Sequence, residues 1–310
     1  MACFVAESRR RNFAYEARTR QGAFVASTFL LFIGEFMRLG VFGLGNMGGA
    51  MLKGAVASGV VNDTSLFTYD PYPQAGQGLP GQRQSQALDA AKASNVWLLA
   101  MKPDGVIPML RELLSDAALT ADLKKTPRIV LSVAAGLDLA QFKALTPDGD
   151  GPLWVRCMPN LAASQRAGIT GWMASRPVTD EERTTIETVL GANGTTLELT
   201  NEEWFHAFTG AVGSGIAYLF LAAEAIADGA VAEGLPRPLA QQAATAAIYG
   251  AGVVLRSSDE SPAVWKDRVC SPGGTTIEGV TTLEEHGVRR GFIAAVRAAA
   301  RKSRAMAKSR

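Results

Sequence analysis

Arg38-Leu39-Gly40-Val41-Phe42-Gly43-Leu44-Gly45-Asn46-Met47-Gly48 is the stretch on which the fold turns. Arg38–Phe42 is a short apolar run of strand type, and Met47–Ser58 has the apolar period of a helix. Between them Gly43, Gly45 and Gly48 spell G-x-G-x-x-G. Alone that motif is weak. Placed after a strand and opening a helix, it has the context that gives it meaning. The glycines permit a tight turn and let backbone N–H groups approach a pyrophosphate, and the helix N-terminus adds partial positive charge. The alternative is an ordinary glycine-rich turn. The order of elements that follows favours a dinucleotide site.

From Met37 to about Thr200 strands and helices alternate. Ser65–Tyr69 reads as a strand ended by the turn Asp70-Pro71-Tyr72-Pro73. Ala87–Ser94 is a short helix, and the continuous apolar run Asn95–Ala100 suits a strand covered on both faces. Asp104–Leu114 reads as helix, Arg128–Val133 as strand, and Asp138–Leu145 as a helix capped by Asp138. Trp154–Met158, Gly168–Met173 and Thr195–Leu199 are further strands, with the helix Glu181–Leu190 among them. This alternation predicts an α/β domain with a parallel, doubly wound sheet.

After Thr200 the strands stop. Ala-rich helices are expected over Asn201–Ala232, with Asn201 as cap, and over Pro238–Arg256, Ser261–Val269, Thr275–Glu285 and Val288–Ala307. The glycines of Gly210-Ala211-Val212-Gly213-Ser214-Gly215 lie inside a helical pattern, where each costs roughly 1 kcal/mol against alanine. Close helix crossing or approach of a ligand would offset that cost. Ala217–Ala227 is apolar nearly all round and must be covered by another domain or subunit. An obligate dimer built on this half follows. Ala207–Ala223 carries no charge, but its 17 residues sit at the short limit for a bilayer span. A buried helix at a subunit contact is preferred, and no membrane partner is expected.

The bulk numbers exclude several classes. The 310 residues are 47% hydrophobic and 19% charged, enough for one large or two ordinary domains. A net charge of +2 lacks the basic footprint of a nucleic-acid binder. Cys3, Cys157, Cys270, His206 and His286 have no metal-ligand spacing, so neither a metal site nor a disulfide framework is expected, and the chain reads as cytoplasmic. Residues 1–36 hold five Arg and three Glu and so account for the whole net charge. They read as a disordered extension, or as an upstream start that is not used, Met37 standing directly before the first strand. Glu7, Glu16 and Glu35 argue against a targeting peptide.

Two further features bear on ligands. Asp70 ends the second strand, where a carboxylate accepts from a ribose 2′-hydroxyl and repels a 2′-phosphate. No arginine stands beside it in sequence, the next being Arg83, which leans the reading from NADPH to NADH. Equally, Asp70 starts an Asp-Pro turn. Cys270-Ser271-Pro272-Gly273-Gly274-Thr275-Thr276 opens a helix with two glycines and two threonine hydroxyls. Such an opening suits a carboxylate, or is a plain helix cap.

Taken together, these residues resemble pyrroline-5-carboxylate reductases over Met37 to about Arg301. The resemblance is carried by Phe42–Met47, Ala100-Met101-Lys102-Pro103, Ser132–Gly136, Cys157-Met158-Pro159-Asn160, Gly213-Ser214-Gly215, Ala225–Arg237 and Asp267–Thr276. It implies a Rossmann domain over 37–200, a helical dimerisation and substrate-binding domain over 201–310, and a homodimer that can assemble to a decamer. It implies reduction of a small imino acid, 1-pyrroline-5-carboxylate, to proline by NADPH or NADH. By position, the dinucleotide contacts would be Phe42, Gly43, Leu44, Gly45, Asn46, Met47, Asp70, Ala100, Met101, Lys102, Pro103, Val133, Ala134 and Ala135, with Asn160 near the nicotinamide. Ser271, Thr275 and Thr276 would hold the substrate carboxylate.

The chain departs from the family pattern at Leu161-Ala162, Val212, Ile216, Cys270 and near Gln86-Ala87. The changes at 161, 162, 212 and 216 strip polar groups from the region facing nicotinamide and substrate. They leave open another cyclic imine, or a non-catalytic NAD(P)-binding sensor. The cofactor carries the hydride, so the protein need only place the two partners. Asp259 or Glu260 is the candidate to stabilise a protonated imine. No residue stands out as an obligatory general acid; His206 reads as a helix residue and Lys102 as a solvated strand end. A hydroxy-acid dehydrogenase of the same superfold would need a catalytic Lys or His on the long helix after Thr200, which offers only His206.

Overall fold

The computed structural model describes residues 37–308, so the reading of residues 1–36 lies outside the described residues. The chain divides into two compact units, the first ending at Glu198 and the second starting at Leu199.

The first unit holds one eight-stranded sheet. Its strands are β1 Leu39–Phe42, β2 Leu66–Tyr69, β3 Gln82–Arg83, β4 Val96–Leu99, β5 Ile129–Ser132, β6 Leu153–Met158, β7 Gly168–Ala174 and β8 Gly194–Glu198. The spatial order is β3-β2-β1-β4-β5-β6-β7-β8. Helices α1 Asn46–Ala57, α2 Ala87–Ala93, α3 Pro103–Ser115, α4 Ala117–Lys125, α5 Leu139–Lys143 and α6 Asp180–Gly191 connect them. β1 and β4 are buried at every position, which is why they read as unbroken apolar runs. Successive residues point to opposite faces. Leu39, Val41 and Leu98 pack with Met51 and Leu52 of α1 and Ile186 of α6. Phe42, Trp97 and Leu99 pack with Leu110 of α3 and Phe142 of α5. Each large side chain so buried contributes about 1.5–3 kcal/mol.

The sheet is mostly, not wholly, parallel: β7 runs antiparallel to β6. Residues 159–167 between them carry only a 3-10 turn, Leu161–Gln165. That is too short for a parallel crossover, which needs a dozen or more residues. Two elements had no sequence reading. β3 is two exposed residues with no period to read. α4 buries only Leu119 and Leu123, and Asp116 caps it by accepting the Leu119 N–H at 2.7 Å. Asp138 caps α5 in a reciprocal box with Gln141.

The second unit is helical: α7 Trp204–Phe208, a π-helical segment Thr209–Gly213, α8 Gly215–Ala232, α9 Arg237–Arg256, α10 Pro262–Val269, α11 Thr275–Glu285 and α12 Val288–Lys308. The expected unbroken helix over 201–232 is thus interrupted at its glycine cluster, and it begins at Trp204 with the Asn201 Oδ1 accepting the Glu203 N–H. A Cβ on Gly210 would lie 2.5 Å from the Val296 carbonyl oxygen of α12. Close helix crossing therefore explains that glycine. Ala217–Ala227 is only partly covered by the described residues. Ala227 packs against Ala240 and Ala244, but Phe220, Leu221 and Ile226 stand at least half exposed. By length and composition alone the helical stretch Trp204–Ala232 could cross a membrane.

Candidate active site

β1, β2, β4, β5 and β6 are parallel to one another, so their C-terminal ends share one edge of the sheet. The chain order reverses between β1 and β4. In open α/β sheets ligands bind outside the strand ends at such a switch point. The strand-end segments Gly43–Met47, Asp70, Ala100–Pro103, Val133–Ala135 and Asn160 all follow these ends.

The three motif glycines separate into distinct roles. Gly43 has φ +96°, and a Cβ there would meet the Met101 nitrogen at 2.6 Å. A Cβ on Gly48 would lie 2.0 Å from the Gly43 carbonyl oxygen. These two are needed by the chain's own packing. Gly45 is different: its backbone is extended at φ −70°, which any residue adopts, and a Cβ there would meet nothing within 4 Å. Its bareness leaves space that the described chain does not fill. It is also the N-cap of α1, where no side chain caps the exposed N–H groups. Open space against uncapped amides is the cradle a pyrophosphate needs.

The side chains around the cradle are mostly structural. Phe42 is buried, edge-on to Trp97 with centroids 5.9 Å apart, so only its backbone can meet a ligand. Leu44 and Ala134 are buried, Met47, Ala100, Met101, Pro103 and Val133 half-buried, and Ala135 exposed. Lys102 is exposed and sits at the N-cap of α3, with Pro103 at its first position. The Asn160 Oδ1 accepts from the Ile169 N–H at 3.3 Å, tying the loop after β6 to β7.

Asp70 does start its turn, and it does more. Its Oδ2 accepts the Leu44 N–H at 2.7 Å and its Oδ1 the Tyr72 N–H at 2.9 Å. No arginine is next to Asp70 in the chain, but the fold brings one to its turn. Arg83 on β3 lies opposite Thr68 of β2, and its guanidinium reaches the Asp70, Tyr72 and Ala75 carbonyls. Thirteen residues separate Arg83 from Asp70, so only the strand pairing brings them together. Asn193 was also missed. It is buried, and its Nδ2 donates to the Ala50 carbonyl of α1 at 3.0 Å and the Ala163 carbonyl of the 3-10 turn at 3.1 Å. No sequence signal points to either role, since each depends on a distant partner. Burial pushes the Cys157 thiol up and leaves it inert.

The remaining candidates belong to the second unit. Gly273 has φ +66°, and Gly274, the N-cap of α11, donates its N–H to the Ser271 carbonyl at 3.0 Å. Gly274 offers α11 no side-chain cap. Ser271 and Thr275 are exposed and Thr276 half-buried around that opening. Of the two carboxylates, Glu260 is already bound through both oxygens to Arg268, which stacks on Trp265 at 4.7 Å. Glu260 is thus engaged in an exposed ion pair. His206 is buried, with Nδ1 2.9 Å from the Ser303 hydroxyl.

A family model described as NADP oxidoreductase, coenzyme F420-dependent, matches residues 38–136. One described as pyrroline-5-carboxylate reductase dimerisation matches residues 202–306. The chain is 36% identical over 277 residues to the pyrroline-5-carboxylate reductase of Escherichia coli K12, covering 88% of this chain and 99% of that one. It belongs to the pyrroline-5-carboxylate reductase family. Among solved members of the family, the Coxiella burnetii reductase superposes with a TM-score of 0.77 at 26% identity, over 87% of this chain and 98% of that one. The Plasmodium falciparum pyrroline carboxylate reductase, solved with NADP bound, superposes with a TM-score of 0.74 at 25% identity, over 88% and 99%.

Proposed function

We propose that this chain reduces 1-pyrroline-5-carboxylate to L-proline with NADPH or NADH, closing proline synthesis in the cytoplasm. The observation that carries the reading is Gly45, a glycine at an uncapped helix opening whose Cβ would meet nothing. Membership of the family supplies the substrate.

The bound nicotinamide supplies the hydride. The N–H groups opening α1 bind the pyrophosphate, while Ala100–Pro103 and Val133–Ala135 line the path towards Asn160. Asp70, at the ribose, favours NADH. Ser271, Thr275 and Thr276 hold the substrate carboxylate at the opening of α11. Asp259 steadies the positive charge of a protonated imine. The exposed apolar face of α8 pairs with a second copy, giving a homodimer that can assemble to a decamer; the dimerisation model over this unit supports the pairing.

The test mixes purified protein with 1-pyrroline-5-carboxylate and either cofactor, following cofactor absorbance and proline formation. Saturable oxidation with stoichiometric proline is expected. Tight cofactor binding without turnover of any cyclic imine would overturn the reading in favour of a sensor.

A further inference from the structure

We propose that Arg83 is a positioning residue that sets the choice between NADH and NADPH by holding the Asp70 carboxylate towards the ribose. The inference rests on the dinucleotide site proposed above and adds a residue that no feature of the glycine motif contains.

The segment between β2 and β3 packs Ala75 and Leu79 against the core but has no regular ladder to hold it. Residues 70–81 form no helix or strand, and Gly76, Gly78 and Gly81 have φ of +70°, +75° and +99°. Such a glycine-rich loop has many accessible conformations. Arg83 restrains it from one point. Its Nη2 donates to the Asp70 carbonyl at 3.2 Å and the Tyr72 carbonyl at 3.0 Å, and its Nη1 to the Ala75 carbonyl at 2.5 Å. A planar guanidinium can serve three acceptors in one fork, whereas a lysine ammonium cannot match that geometry.

The carbonyls it grips flank the carboxylate. Asp70 receives one N–H from Tyr72, within the gripped turn, and one from Leu44, in the glycine loop. Those two bonds fix its rotamer, while an ionised carboxylate retains further acceptor sites for ribose hydroxyls. Arg83 commits three of its five N–H donors to the backbone carbonyls of the turn that carries Asp70. So held, it acts as a restraint on that turn and not as the mobile arginine that accommodates a 2′-phosphate. Charge and geometry then agree. A fixed carboxylate accepts from a 2′-hydroxyl and repels a 2′-phosphate, and loosening its turn erodes both effects.

The experiment titrates NADH and NADPH into the full-length protein by nicotinamide fluorescence, for wild type, Arg83→Gln, Arg83→Lys and Asp70→Ser. Steady-state kcat and KM are measured alongside. Wild type is expected to bind NADH more tightly than NADPH. Arg83→Gln should weaken NADH about tenfold, an expected loss of one to two charge-assisted hydrogen bonds, and narrow the NADH-to-NADPH ratio. Its kcat at saturating NADH should stay within about twofold, since a positioning role acts through binding. Arg83→Lys should fall between, and Asp70→Ser should admit NADPH. A selective loss of NADPH in Arg83→Gln would overturn the proposal and make the guanidinium a phosphate ligand. Unchanged affinities would overturn it too. Wild type binding neither nucleotide would remove the dinucleotide site itself. Binding without imine turnover would leave this inference standing while the proposed reaction fell.

Discussion

Gly45→Ala is expected to leave the fold intact and to weaken dinucleotide binding by at least tenfold. The structure supplies both halves of that expectation. The Gly45 backbone lies at φ −70°, ψ −166°, open to any residue, and an added Cβ meets nothing within 4 Å. Alanine caps a helix less well than glycine, by up to about 1 kcal/mol. It also lowers the entropy of the unfolded chain by about 0.4–1 kcal/mol. These nearly cancel, so the melting temperature should move by no more than about 2 °C. A pyrophosphate in the cradle would lose its approach to the α1 amides, and one charge-assisted hydrogen bond is worth about 1.5–3 kcal/mol, or roughly ten- to a hundredfold in affinity. Gly48→Ala is the control. Helix propensity alone would gain about 1 kcal/mol from alanine there. Its Cβ, however, would lie 2.0 Å from the Gly43 carbonyl oxygen, a backbone atom that cannot rotate away. Overpacking of this kind costs about 3 kcal/mol, a net loss of about 2 kcal/mol after that gain, and so should lower the melting temperature by roughly 4–8 °C. Thermal denaturation and fluorescence titration on both variants decide the matter. If Gly45→Ala melts as early as Gly48→Ala, or binds as wild type does, the division of roles among the glycines is wrong.

Ser271→Ala and Thr276→Val should each raise KM for the imine about tenfold while leaving NADH affinity unchanged, read from initial rates and titration; unchanged KM would place the carboxylate elsewhere. Leu221→Glu puts a charge on a side chain that is 66% exposed within the chain, and should shift the protein to a smaller species in light scattering. An unaltered mass would free that face of a subunit role. Glu182→Ala tests a cap with a pH signature. The Arg176 guanidinium, and then the Thr179 N–H, hold the Glu182 carboxyl below its ordinary range. Its contribution is therefore full above the ordinary value of 4.5 and is lost as pH falls through the lowered one. Wild type should exceed the variant by about 1 kcal/mol near neutrality, partial exposure keeping the ion pair weak. That gap should close in acid, and a gap that widened there would refute the assignment.

Much of the architecture was legible locally. An apolar run buried on both faces, the turn at Asp70-Pro71, the cap at Asp138 and the glycines at 43, 45 and 48 each express physics confined to a few neighbouring residues. The amino-acid order by itself therefore determined the alternation of strand and helix, the helical second half and the place of the glycine-lined helix opening. It could not assign roles within the motif, because Gly45 and Gly48 are the same letter and differ only in what lies beyond them. Tertiary structure alone decided that β7 reverses, that the Gly210 crossing interrupts the long helix, that Arg268 occupies Glu260 and that Arg83 reaches the Asp70 turn. Those outcomes depend on groups brought together by strand pairing and helix packing, and no short-range period or propensity encodes which distant partner a side chain will meet.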